Sequence, residues 1–111
     1  MPKIKIPGAA ELADGATIKF PFTRNNRSAE GFVARFQGKL VAYENLCRHL
    51  PMHLDYDSGR IFTREGDYFM CQTHGAMYEP LTGKCVRGPC QGEKLKAIHI
   101  EIVGGEVWAD V

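Results

Sequence analysis

Apolar and polar residues alternate along most of this 111-residue chain, and glycine, asparagine or proline breaks the alternation at short intervals. A period of two predicts half-buried strands rather than helices. Residues 16–22 (ATIKFPF) read as a first strand, with Pro21 arguing for a sheet edge or an early end. Asn25 and Asn26 start a turn. Residues 31–36 (GFVARF), the pair Gln37-Gly38 and residues 39–44 (KLVAYE) read as a hairpin. In its first arm Phe32, Ala34 and Phe36 face one way and Val33 and Arg35 the other. Residues 68–72 (YFMCQ) form a short apolar strand. Residues 94–103 (KLKAIHIEIV) and 106–110 (EVWAD) form a closing hairpin around Gly104-Gly105. Residues 11–13 offer a brief turn of helix, and no window of helical period exceeds about two turns. The expected fold is all-β, a small antiparallel sandwich or barrel.

Composition narrows the classes. Hydrophobic residues make up 44% and charged residues 24%, which excludes wholesale disorder. A net charge of +1 is too balanced for a nucleic-acid-binding domain. No apolar run is long enough to span a bilayer, so no membrane association is expected. Residues 1–15 hold no apolar core of a secretory signal, so the expected location is cytoplasmic. No repeat, low-complexity tract or linker divides the chain, so residues 1–111 are expected to form one domain.

Two stretches break the strand rhythm: residues 45–54 (NLCRHLPMHL) and 71–78 (CQTHGAMY). The four cysteines are Cys47, Cys71, Cys85 and Cys90, and the four histidines His49, His53, His74 and His99. Two disulfides would need an oxidising compartment, and in a reducing one cysteines beside histidines are more often metal ligands. Cys47-Arg48-His49 and Cys71-Gln72-Thr73-His74 each supply one thiolate and one imidazole, in the same order. Two loops with mixed pairs suit a [2Fe–2S] centre whose cysteines hold one iron and whose histidines hold the other. The thiolates stabilise an iron that stays ferric. Neutral imidazoles leave the other iron less negative, so it accepts an electron more readily. The rival is a tetrahedral zinc site, but zinc knuckles usually pair like ligands within a loop.

These residues resemble the Rieske iron–sulfur family. The likeness rests on Cys47-Arg48-His49, on Cys71-Gln72-Thr73-His74-Gly75, and on residues 82–89 (TGKCVRGP), which look like that family's Gly-Pro loop covering the cluster. It runs from about Gly31 to the C-terminus and is nearest to small stand-alone Rieske ferredoxins. The resemblance implies a Rieske-like domain whose cluster-binding subdomain, about residues 45–90, consists of two hairpin loops and the cover loop. It implies one [2Fe-2S] cluster held by Cys47, His49, Cys71 and His74, with Cys47 and Cys71 on the buried iron. It also implies an electron carrier rather than an enzyme, serving redox partners such as a flavoprotein reductase and a terminal oxygenase. The alternatives are a permanently docked Rieske subunit of a larger oxidoreductase and a zinc-stabilised interaction module.

Departures from the family pattern bear on tuning. Respiratory members carry a disulfide between the two loops, and Met52 and Thr73 stand at those positions here. The same members place a serine and a tyrosine that donate hydrogen bonds to cluster sulfur, and here those positions are Ala76 and Tyr78. One donor is lost, so a potential in the lower to middle part of the roughly −150 to +300 mV Rieske range is expected. Residues 55–67 (DYDSGRIFTREGD) lengthen the interval between motifs and read as a polar surface hairpin.

The other residues have plainer readings. Cys85 and Cys90 flank Gly88-Pro89 and are expected as thiols outside the ligand set. His53 reads as a solvated loop residue and His99 as the polar face of a strand. Trp108, Phe32, Phe36 and Tyr43 read as core. Lys84, Arg87, Lys94 and Lys96 against Glu93 leave a positive collar beside the cover loop, either an ordinary solvated face or a docking feature. A catalytic mononuclear iron would need two further histidines and a carboxylate, and His53 and His99 lie in unrelated segments.

Overall fold

The computed structural model describes residues 3–46, 61–71, 75–88 and 92–110. The chain divides into two compact units, one made of residues 1–44 and 97–111 and the other of residues 45–96.

The first unit holds two three-stranded antiparallel sheets. One has the order β1-β9-β8, from β1 (Lys3–Ile6), β8 (His99–Val103) and β9 (Glu106–Asp110). The other has the order β2-β3-β4, from β2 (Thr17–Arg24), β3 (Arg27–Phe36) and β4 (Lys39–Glu44). Ile6, Val107 and Ala109 of the first sheet and Phe20, Phe22, Val33 and Ala42 of the second join Ala9 and Ile98 in one buried cluster. This is a sandwich, as the alternation predicts. At Gly31, Phe32, Val33 and Ala34 every residue of β3 is buried, so both faces of the second sheet are covered at its centre. The Phe32 and Tyr43 rings lie 6.0 Å apart, tilted by 43°.

Three two-residue turns set the registers. Arg24 opposes Arg27 across Asn25-Asn26, Phe36 opposes Lys39 across Gln37-Gly38, and Val103 opposes Glu106 across Gly104-Gly105. All six turn residues have positive φ, the geometry of type I′ turns, whose twist matches that of the strands they join. Arg35 braces one of these turns. Its guanidinium donates to the carbonyls of Leu12, Ala10 and Gly38, while Gly38 N donates to the Asp14 carboxylate at 2.8 Å.

Several elements differ from expectation. Pro21 does lie on an edge strand, but β2 runs three residues past it. The short helical turn is a 3₁₀ turn at Ala9–Glu11 rather than 11–13. The strand expected at 94–103 starts at His99. Trp108 and Phe36 are only half-buried. Trp108 alternates with Val107 and Ala109, whose side chains take the inner face. His99 is exposed, as its alternation with Ile98 and Ile100 predicts.

The second unit contains the sheet β5-β6-β7, from β5 (Phe69–Met70), β6 (Met77–Tyr78) and β7 (Cys85–Arg87). An isolated bridge between Phe62 and Phe69 lengthens one side, and another between Lys84 and Lys94 lengthens the other. Residues 61–70 fold back on themselves: Thr63 N donates to Tyr68 O, and Met70 N to Ile61 O, each at 2.8 Å. Ile61, Phe62 and Thr63 are buried, and the Phe62 and Phe69 rings lie 5.0 Å apart. The expected polar surface hairpin is therefore part of this unit's core over residues 61–63. Its earlier part, 55–60, lies outside the described residues.

Two outcomes test this packing. A Cβ on Gly31 would lie 2.5 Å from Phe20 Cζ and 2.9 Å from Ile98 Cδ1. Gly31→Ala is therefore expected to destabilise the protein by about 1–3 kcal/mol through overpacking, read as a lower urea midpoint. Lys3 forms an ion pair with Glu101, and its hydrogen bond and charge hold the Glu101 carboxyl below the usual carboxylate range. A lowered carboxyl stabilises the fold above its unfolded pKa and loses that contribution as pH falls through its folded value. Thermal melts from pH 6 down to pH 3 are expected to fall less steeply for Glu101→Gln than for the parent.

Candidate metal centre

Of the four residues that the sequence puts forward as ligands, Cys71 is described, whereas Cys47, His49 and His74 lie outside the described residues, as do Arg48, His53 and Cys90. Cys71 directly follows β5 and is fully buried. Its N–H donates to Ala76 O and its carbonyl accepts from Gly75 N, both at 2.8 Å. The first bond extends the ladder that pairs Phe69 with Tyr78 and Met70 with Met77. The two bonds together tie Cys71 to residues 75 and 76.

Alternation sets which way the thiol faces. Phe69 and Cys71 are buried on either side of half-buried Met70, and Ala76 and Tyr78 are buried on either side of half-buried Met77. Cys71 thus shares an inner face with Phe69, Ala76 and Tyr78. Ala76 carries no hydroxyl, as the sequence states, and the Tyr78 side chain is fully buried.

Gly88 presses on this hairpin. Gly88 follows β7 with φ 103°, and a Cβ there would lie 2.9 Å from Ala76 Cα and 3.2 Å from Ala76 Cβ. The backbone of the cover segment therefore rests directly on the residue that accepts the Cys71 N–H. The sequence marks Gly88-Pro89 as a turn, but the close approach to Ala76 is visible only in three dimensions.

Cys85 is buried in β7, with Sγ 3.4 Å from the carbonyl of Arg87. Among the described residues no three His, Cys, Asp or Glu side chains converge, so Cys85 and His99 assemble no separate metal site with them. Lys84, Arg87, Lys94 and Lys96 are all exposed.

The donor chemistry fits an iron–sulfur cluster. A soft thiol, shielded from water and held at the end of a hydrogen-bonded strand, suits ligation of iron. Cys71 would be one such ligand, and the group bound there would supply one-electron redox chemistry. The chain's own part is to fix that sulfur through its backbone bonds and to cover the hairpin with Gly88.

The sequence matches the family model described as the Rieske [2Fe-2S] domain over residues 5–102. Among solved structures, the ferredoxin of Sphingomonas yanoikuyae B1 is 24% identical, with 99% of each chain covered and a TM-score of 0.72. The ferredoxin of carbazole 1,9a-dioxygenase from Nocardioides aromaticivorans IC177 is 22% identical, covering 98% of this chain and 97% of that one, with a TM-score of 0.70. A chain in the complex of reduced oxygenase and oxidized ferredoxin in carbazole 1,9a-dioxygenase is 25% identical, covering 96% and 91%, with a TM-score of 0.73. No curated protein matches the sequence.

Gly88→Ala puts a methyl group against Ala76 and a side chain at a φ that favours glycine. It is expected to cost about 1–3 kcal/mol and to loosen the cover segment. Bleaching of the visible absorbance under a ferrous chelator should then run several-fold faster than in the parent.

Proposed function

This chain belongs to the Rieske [2Fe-2S] domain family, and from that premise we propose that it is a free carrier of single electrons between a flavoprotein reductase and a terminal oxygenase or similar redox enzyme. The carrying observation is the length-for-length match to a ferredoxin, with 99% of each chain covered. A solved complex of a dioxygenase's oxygenase with its ferredoxin, containing a chain of this fold, supports the choice of partner class.

The ligands in this reading are Cys47, His49, Cys71 and His74. The thiolates hold the iron that stays ferric and the imidazoles the iron that accepts the electron. The chemistry belongs to the cluster, and the protein supplies ligation, shielding and a surface for docking. Residues 1–111 serve as one Rieske domain, a reading supported by a family match that runs through both compact units. Ala76 in place of a hydroxyl donor puts the potential in the lower to middle part of the family's range, roughly −150 to +300 mV.

Anaerobically prepared protein should contain two irons and two sulfides per chain, and the reduced form should give an EPR signal with nitrogen hyperfine structure. Colourless protein holding one zinc would overturn the reading. Two variants separate ligand from bystander. Cys71→Ala should prevent cluster assembly. Cys85→Ala should keep the full cluster and lose about 1 kcal/mol of stability, since its thiol is buried outside the ligand set.

A further inference from the structure

The strand pairing at the edge of the second unit brings two like charges together. Cys85 N donates to Glu93 O and Leu95 N donates to Gly83 O, each at 2.9 Å. Between these bonds Lys84 and Lys94 face each other as a non-hydrogen-bonded antiparallel pair. Such pairs bring side chains closest, and like charges placed directly opposite are destabilising. Lys96 lies two residues along from Lys94, on the same face, and alternates with buried Leu95. Val86 lies two residues along from Lys84 and is 37% exposed. Gly88, which rests on Ala76, follows two residues later.

Among the described residues no ion pair is formed by Lys84, Lys94 or Lys96. Among the described residues the ion pairs are Lys3–Glu101, Lys5–Glu106 and Lys19–Glu30, all in the first unit. Of the described carboxylates in the second unit, Glu79 accepts from Thr82 and Asp67 from Thr63. The fold therefore holds a cationic strip with an apolar residue in it, leading to the segment that covers the cluster hairpin.

We propose that Lys84, Lys94 and Lys96, with Val86 at the end nearer Gly88, form the docking face for an acidic patch on the protein that exchanges electrons with this one. The proposal rests on the carrier reading above and adds to it the sign of the partner's charge. Opposite charge steers encounter and fixes orientation, and a small apolar contact beside the charges suits the weak interfaces of redox partners. Arg87, exposed next to Gly88, adds to the same field.

The test uses the reduced holoprotein and two redox proteins of opposite charge, an acidic blue-copper protein and a basic c-type cytochrome. At low salt, the triple variant Lys84→Gln, Lys94→Gln, Lys96→Gln should reduce the acidic protein about tenfold more slowly than the parent does. The parent's rate with that protein should fall as salt rises, and the variant's should change little. Lys39→Gln in the first unit should leave both rates unchanged. Equal slowing towards the acidic and basic proteins, or no slowing, overturns the proposal. Binding of the redox-inert, zinc-substituted copper protein reads docking apart from electron transfer. If binding depends on the three lysines while no electron passes, the carrier reading fails and the docking face stands. If binding is indifferent to the lysines, the docking face fails. Lys94→Gln alone should raise Tm by a few degrees while weakening binding, a combination that a purely structural role for Lys94 would not produce.

Discussion

The second unit depends on a pair of hydrogen bonds one residue beyond the end of a two-residue strand. Cys71 donates its N–H to Ala76 and accepts from Gly75, so both of its backbone polar groups are tied to the facing strand and turn. A cysteine side chain on a fixed backbone has one soft torsion, and burial on the face of Phe69, Ala76 and Tyr78 restricts that as well. A ligand set built from loop residues would otherwise share the mobility common to loops. Here Cys71, a ligand in the proposed reading, borrows the rigidity of a sheet, and Gly88 closes against the same hairpin from the other side.

This arrangement accounts for the small residues around it. Ala76 must be small because Gly88 lies against it, and residue 88 must be glycine because a Cβ would reach Ala76 Cα at 2.9 Å. The two positions constrain each other. A hydroxyl at residue 76, which would tune the cluster, would have to share that contact with the cover segment.

Much of the first unit was legible in the sequence because its turns are chemically explicit. Asn25-Asn26, Gln37-Gly38 and Gly104-Gly105 tolerate positive φ, and the strands beside them alternate long enough to reveal a period. Trp108 misled because an aromatic residue in an alternating strand reads as core, whereas its neighbours Val107 and Ala109 take the inner face. The second unit was harder to read. Strands of two or three residues such as β6 and β7 carry no period, and Ile61 and Phe62 sat within a run of charges that drew attention to the surface. The Cys/His motifs and the Gly-Pro turn were legible as chemistry. The closeness of Gly88 to Ala76 was not, because twelve positions separate them in the chain and nothing local encodes their meeting.

The bridge between Tyr43 and Ala97, with Ile98 N bonded to Ala42 O, puts the points where the chain leaves and rejoins the first unit side by side. Fifty-two residues, 45 to 96, are strung between two neighbouring stems. Closure entropy grows only slowly with the length between such stems, so the tract can lengthen or shorten at small cost while the stems stay together. Inheritance can therefore rewrite residues 45–96, in length and in charge, by insertion and deletion, while the sandwich that anchors them goes on folding by the same rules.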